Sequence, residues 1–136
     1  MNRIDGKVAV ITGGTQGLGA AVAKLFAEAG ALGIVIVGRD QKKGAKVASE
    51  ISKAYGIQVK MIPADLGKIE DVQRIMAETD NIFGRVDILV NSAGLTDRGN
   101  ILNTNPDLFN RMIAVNTRAP FFLIQDAAKI MIREHI

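Results

Sequence analysis

The sequence contains no cysteine and no tryptophan, and its one histidine, His135, is the penultimate residue. The first absence excludes disulfides, thiolate metal ligands and a cysteine nucleophile, and a single histidine cannot build a histidine-based metal centre. No metal site is therefore expected. No stretch reaches the ~18 consecutive apolar residues of a membrane span, and the N-terminal residues lack the charged, apolar and small-residue zones of a secretory leader. A cytoplasmic protein with no membrane partner is the resulting expectation. Basic runs are missing too. The 17 lysines and arginines are scattered, as in Arg39, Lys42, Lys43, Lys46, Lys53 and Lys60. The net charge of +3 thus marks solvated helix faces, and no nucleic-acid partner is expected.

With 48% hydrophobic and 23% charged residues, the 136-residue chain reads as one soluble globular domain over residues 1–136. That length is short for an α/β enzyme with a complete doubly wound sheet. Runs rich in valine and isoleucine at Lys7 to Thr12, Gly33 to Gly38, Gln58 to Pro63 and Val86 to Asn91 read as strands. Their near-continuous apolarity fits a parallel sheet covered on both faces. Between them, Leu18 to Gly30, Asp40 to Tyr55 and Lys68 to Phe83 carry helical spacing, with Gly30, Gly56 and Gly84 as stops. This alternation predicts repeated βαβ units.

The last stretch is greasier than one stripe against a sheet requires. It starts at the cap-like Asn105-Pro106-Asp107 and runs as a helix to about Glu134, with Phe109, Met112, Ile113, Phe121, Phe122 and Ile124 among its apolar residues. Either Pro120 bends this helix so that both faces are buried, or one face awaits a second subunit.

The loop Thr12-Gly13-Gly14-Thr15-Gln16-Gly17-Leu18-Gly19 joins the first strand to the first helix. Glycine there permits positive φ, close approach to a pyrophosphate and tight packing of helix on strand, while the helix N-terminus offers unpaired N–H groups and partial positive charge. In this strand-to-helix context the loop reads as dinucleotide-binding, with Gly13, Thr15, Gln16, Gly17, Leu18 and Gly19 as candidate cofactor contacts. At the end of the second strand, a carboxylate would suit the ribose hydroxyl of NAD and an arginine the 2′-phosphate of NADP. The chain has Gly38-Arg39-Asp40. Arg39 favours NADP(H) as cofactor; Asp40 keeps NAD(H) possible, or caps the second helix.

Four motifs in this order resemble the short-chain dehydrogenase/reductase family over the whole chain. They are Thr12-Gly13-x-x-x-Gly17-x-Gly19, Ala64-Asp65-Leu66 after the third strand, Asn91-Ser92-Ala93-Gly94 after the fourth, and Asn116 in the following helix. The resemblance implies an NAD(P)(H)-dependent oxidoreductase moving a hydride between the nicotinamide and a small carbonyl or alcohol substrate. It implies that Asp65 and Leu66 border the adenine ring, the alternative for Asp65 being a helix cap. It implies that Asn91 ties neighbouring strands and that Ala93 and Gly94 line the cofactor's ribose side. Asn116 matches the asparagine that holds an active-site water; otherwise it is a helix asparagine bonded to nearby backbone. Thr12 is expected to bond across to the loop after the fourth strand, and Thr96, Asp97 and Arg98 to lie near the pocket mouth.

In this family a tyrosine and lysine spaced Tyr-x-x-x-Lys, with a serine nearby, carry the proton chemistry. Tyr55 is the one tyrosine here and is followed by Gly56, Ile57, Gln58 and Val59, so it does not match. The expected fold is a Rossmann-like doubly wound parallel sheet, order 3-2-1-4 in the part present, truncated after the fourth βα unit. The chain would be the cofactor-binding half of a longer enzyme, or else a catalytically silent dinucleotide-binding or interaction module. The family's habit implies a dimer or tetramer through the helix at about 106–134.

Overall fold

The computed structural model describes residues 3–97 and 99–136. Arg98, expected at the pocket mouth, lies outside the described residues. The strands β1 (Val8–Thr12), β2 (Gly33–Gly38), β3 (Gln58–Pro63) and β4 (Ile88–Asn91) alternate with helices α1 (Gly17–Glu28), α2 (Gln41–Tyr55) and α3 (Ile69–Phe83). They form one parallel sheet, as the alternating pattern predicts, in the order β3-β2-β1-β4 that the family resemblance implies.

Strand side chains point alternately to the two faces of a sheet, and the core divides accordingly. Ile11, Ile34 and Ile36 pack with Ala23 and Ala27 of α1 and Ala48 and Ile51 of α2. Val10, Val35 and Val37 face the other way, onto Val72, Ile75 and Met76 of α3 and onto Leu123, Ala127 and Ile130 near the chain's end. The central strands β1 and β2 are near-continuously apolar because both of their faces are covered, whereas the edge strand β3 exposes Gln58 and Lys60. β4 is an edge of the sheet, and its Ile88, Leu89 and Val90 are only half-buried.

Several boundaries move by a residue or two. The first helix ends at Glu28 and not Gly30, and the fourth strand begins at Ile88 and not Val86. Ahead of it the Asp87 carboxylate accepts a hydrogen bond from the Val8 N–H at 2.8 Å, while the Asp87 N–H donates to the Val8 carbonyl at 2.9 Å. The two strand entries are thus laced together by a side chain as well as by backbone.

The long C-terminal run is not one regular helix. It is α4 (Pro106–Ile113), a π turn at Ala114–Arg118 and α5 (Ala119–Arg133). Proline lacks the N–H that would return to the carbonyl one turn back, and its ring crowds that carbonyl. A widened turn ahead of Pro120 relieves both problems. The irregularity does not bury both faces: Leu123 and Ala127 are in the core, whereas Phe109, Ile113, Phe121 and Ile124 remain 58%, 47%, 60% and 56% exposed. No helix among the described residues is long and apolar enough to cross a membrane.

Candidate functional site

The C-terminal ends of the strands open into a cleft of about 340 Å³ beside β1, at the point where the chain crosses from β3 to β4. Parallel α/β sheets place ligands at this position, because loops leaving neighbouring strands diverge there. Its walls carry Gly13, Thr15, Gln16, Gly17, Leu18 and Gly19 from the first loop, Arg39 from the second, Asp65 and Leu66 from the third, and Ala93 and Gly94 from the fourth. These sequence-predicted residues therefore converge.

The glycine loop is shaped by close backbone packing. Gly13 has φ +67°, and a Cβ there would stand 3.0 Å from the Ala93 Cα; one at Gly19 would overlap the Gly13 carbonyl. The loop can lie this close to the β4 turn only without side chains. Thr12, which is buried, accepts at its hydroxyl from the Ala93 N–H at 3.2 Å, and the Ser92 hydroxyl donates to the Thr12 carbonyl. The first turn of α1 has no side-chain cap; Gln16 instead accepts from the Lys43 ammonium. The leading N–H groups of α1 are left to face the cleft, which suits a pyrophosphate.

At the second loop, Asp40 caps α2 by accepting from the Lys43 N–H at 3.0 Å. None of the ion pairs among the described residues engages Arg39, so its exposed guanidinium is available to an anion. Asp65 is different. Its carboxylate accepts from the Gly67 N–H at 2.9 Å and pairs with Arg111 of α4, 2.9 Å away. The Arg111 guanidinium holds this carboxyl below the ordinary range; burial opposes it, and the Gly67 N–H and the charges of Arg111 and Arg39 reinforce it.

Asn91 and Asn116 do not line the cleft. Asn91 is the exposed last residue of β4, in register with Thr12, and the hydroxyl tie to β1 comes from its neighbour Ser92. Asn116 sits in the π turn, where it is exposed rather than buried. Its Oδ1 accepts from the Leu95 N–H at 2.8 Å and its Nδ2 donates to the Leu95 carbonyl at 2.7 Å. The asparagine thus bonds to backbone, but to that of a distant loop, and holds the loop after β4 on the helix. Tyr55 packs with the α1 and α2 side of the core, on the opposite face from α3.

Sequence reasoning missed Arg111 and Val115, which line the cleft from the last helical run. Arg111 meets Asp65 from 46 residues along the chain. No local spacing rule reaches that far.

The model of the short chain dehydrogenase family matches residues 7–136. The chain belongs to this family. Short-chain dehydrogenases similar to it include versicolorin reductase 1 of Aspergillus parasiticus, 38% identical over 130 residues, covering 96% of this chain and 49% of that protein. An uncharacterized oxidoreductase of Thermotoga maritima is 39% identical over 127 residues, covering 93% of this chain and 49% of the relative. The chain spans about half the length of the curated relatives it matches. Among solved structures, L-sorbose reductase from Gluconobacter frateurii complexed with NADPH and L-sorbose superposes with a TM-score of 0.92 at 31% identity, covering 96% of this chain and 50% of that one. A metagenomic short-chain oxidoreductase in complex with NADP gives 0.89 at 33% identity, covering 96% and 59%.

Proposed function

We propose that this chain is the cofactor-binding half of an NADP(H)-dependent oxidoreductase acting on a small carbonyl or alcohol substrate in the cytoplasm. When bound, the nicotinamide supplies or accepts the hydride. The chain's own residues bind and orient. The uncapped α1 N-terminus and the glycine backbone hold the pyrophosphate, and Leu66 and Asp65 border the adenine. Ala93 and Gly94 admit the ribose by their small bulk, and Asn116 keeps the loop after β4 in place. The observation that carries the cofactor choice is Arg39, which lines the cleft with no carboxylate ion pair among the described residues, while Asp40 is occupied as a cap. Complexes of NADP and NADPH in the structural neighbours support the same choice.

Replacing Arg39 with leucine tests it. NADPH affinity, followed by calorimetric or fluorescence titration, is expected to fall about 30-fold, the worth of one or two charge-assisted hydrogen bonds. NADH affinity should change by less than about threefold, since the group lost serves only the 2′-phosphate. An equal loss for both cofactors would reduce Arg39 to a surface charge.

The exposed apolar side chains Phe109, Ile113, Phe121 and Ile124 support a homo-oligomer through α4 and α5, a second copy being the proposed cover. Sedimentation at micromolar concentration is expected to show a dimer or tetramer, and Phe121→Lys to shift it toward monomer. A wild-type monomer at that concentration sinks the proposal.

A further inference from the structure

Resting on the cofactor reading above, we infer that Arg111 is a positioning residue for base recognition: it grips the Asp65 carboxylate so that one acceptor site stays open for the exocyclic amine of adenine. Arg111 Nη2 lies 2.9 Å from Oδ1, and Nη1 donates to Oδ2 at 3.2 Å. Arg111 thus engages both carboxylate oxygens, one by a hydrogen bond and the other by ion-pair contact, which restricts the plane of the carboxylate more than a single contact does. Each carboxylate oxygen has about two acceptor sites. Oδ1 accepts from the Gly67 N–H at 2.9 Å and stands in ion-pair contact with Arg111 Nη2, whereas Oδ2, among the described residues, accepts from Arg111 Nη1 alone and keeps one site free.

The surrounding bonds hold the pair in place. The Asp65 N–H donates to the Asp71 carboxylate at 2.7 Å, and Arg118, further along the helical run, donates to the Gly67 carbonyl at 2.9 Å. A Cβ at Gly67 would occupy the space of the Arg111 guanidinium, so the loop is built to admit it. Both Asp65 and Arg111 face the same cleft. An ionised carboxylate can only accept, so the open site selects a donor such as the adenine amine and disfavours a carbonyl at that place.

The test titrates the purified chain with NADPH and with the NADPH analogue in which hydrogen replaces the 6-amino group. The wild-type chain should prefer NADPH by about tenfold, the value of one hydrogen bond to a charged acceptor. Arg111→Leu should bring the preference within about twofold, with Arg111→Lys between the two. A merely structural Arg111 would weaken both ligands alike and leave the ratio untouched, which overturns the inference. Should Arg111→Leu not fold, Arg111→Lys decides: a ratio lowered at least about threefold supports the positioning role, and an unchanged ratio overturns it. A wild-type chain that binds both ligands equally overturns the inference alone. One that binds neither overturns the cofactor reading and this inference with it.

Discussion

Gly19→Val is expected to destroy cofactor binding and to lower the melting temperature by about 10 °C. A Cβ at Gly19 overlaps the Gly13 carbonyl oxygen, stands 2.6 Å from the Gly13 carbonyl carbon and 2.7 Å from the Ser92 hydroxyl. The first two are backbone atoms and cannot swing aside. Relief comes only from opening the loop, and overpacking of this kind costs about 3 kcal/mol, or roughly 10 °C for a domain of this size. Opening the loop also separates the α1 N–H groups from the β4 turn, so NADPH affinity should fall by at least about 100-fold. Gly17→Ala is the control, because its Cβ meets nothing within 4 Å. It carries only the cost of φ +55°, about 1–2 kcal/mol. Thermal melts and NADPH titrations of the two variants check this. A Gly19→Val chain that melts within a degree or two of wild type and binds NADPH normally would refute the close-packed loop.

The second large effect is expected at Asp87, whose carboxylate is 3% exposed. It accepts from the Val8 N–H at 2.8 Å and from Arg85 at 2.6 and 2.8 Å, with Lys7 3.9 Å away. Asp87→Ala strands the buried Val8 donor and removes the shared anion, costing about 2–3 kcal/mol after allowance for the exposure of the two cations. The pH dependence follows from the same contacts. Burial is the largest influence and pushes the Asp87 carboxyl up, but the Arg85 hydrogen bonds, the Val8 N–H and the charges of Arg85 and Lys7 together hold it below its ordinary range. The Arg133 guanidinium does likewise for Asp80, and Arg111 for Asp65.

A carboxylate with a lowered folded pKa contributes stability above the unfolded value of about 3.9, and the contribution is lost as pH falls through the folded value. The melting temperature should therefore be flat above about pH 5 and fall steeply below about pH 4. In Asp87→Ala the plateau should be lower and the acid limb shallower. Melts between about pH 2.5 and 7 decide it; an acid limb as steep as wild type would show that Asp87 is not one of the groups responsible.

Much of the cleft was legible because its determinants are local. Glycines between a valine-rich run and an alanine-rich one mark a turn without Cβ atoms, whatever the rest of the chain does. Asp40 was legible as a cap for the same reason: its partner is the Lys43 N–H on the following turn. Asn116 was harder. It was expected either to hold an active-site water or to bond to nearby backbone, but the π turn ahead of Pro120 leaves it exposed and turns its amide onto the backbone of the distant Leu95.

The order β3-β2-β1-β4 came with the family resemblance, whereas local sequence alone carries the alternation of strands and helices, the glycine loop and the arginine at the end of β2. These depend on periodicity, on turn chemistry and on the bias of parallel connections, all of which act over a few residues or one βα unit. Only the tertiary structure decided which long-range partners meet. Arg111 reaches Asp65, Arg118 reaches Gly67, Ser92 reaches Thr12 and Asp87 reaches Val8. Each of these pairs is brought together by sheet register and helix packing, and a hydrogen bond depends on tenths of an ångström that no spacing along the chain encodes.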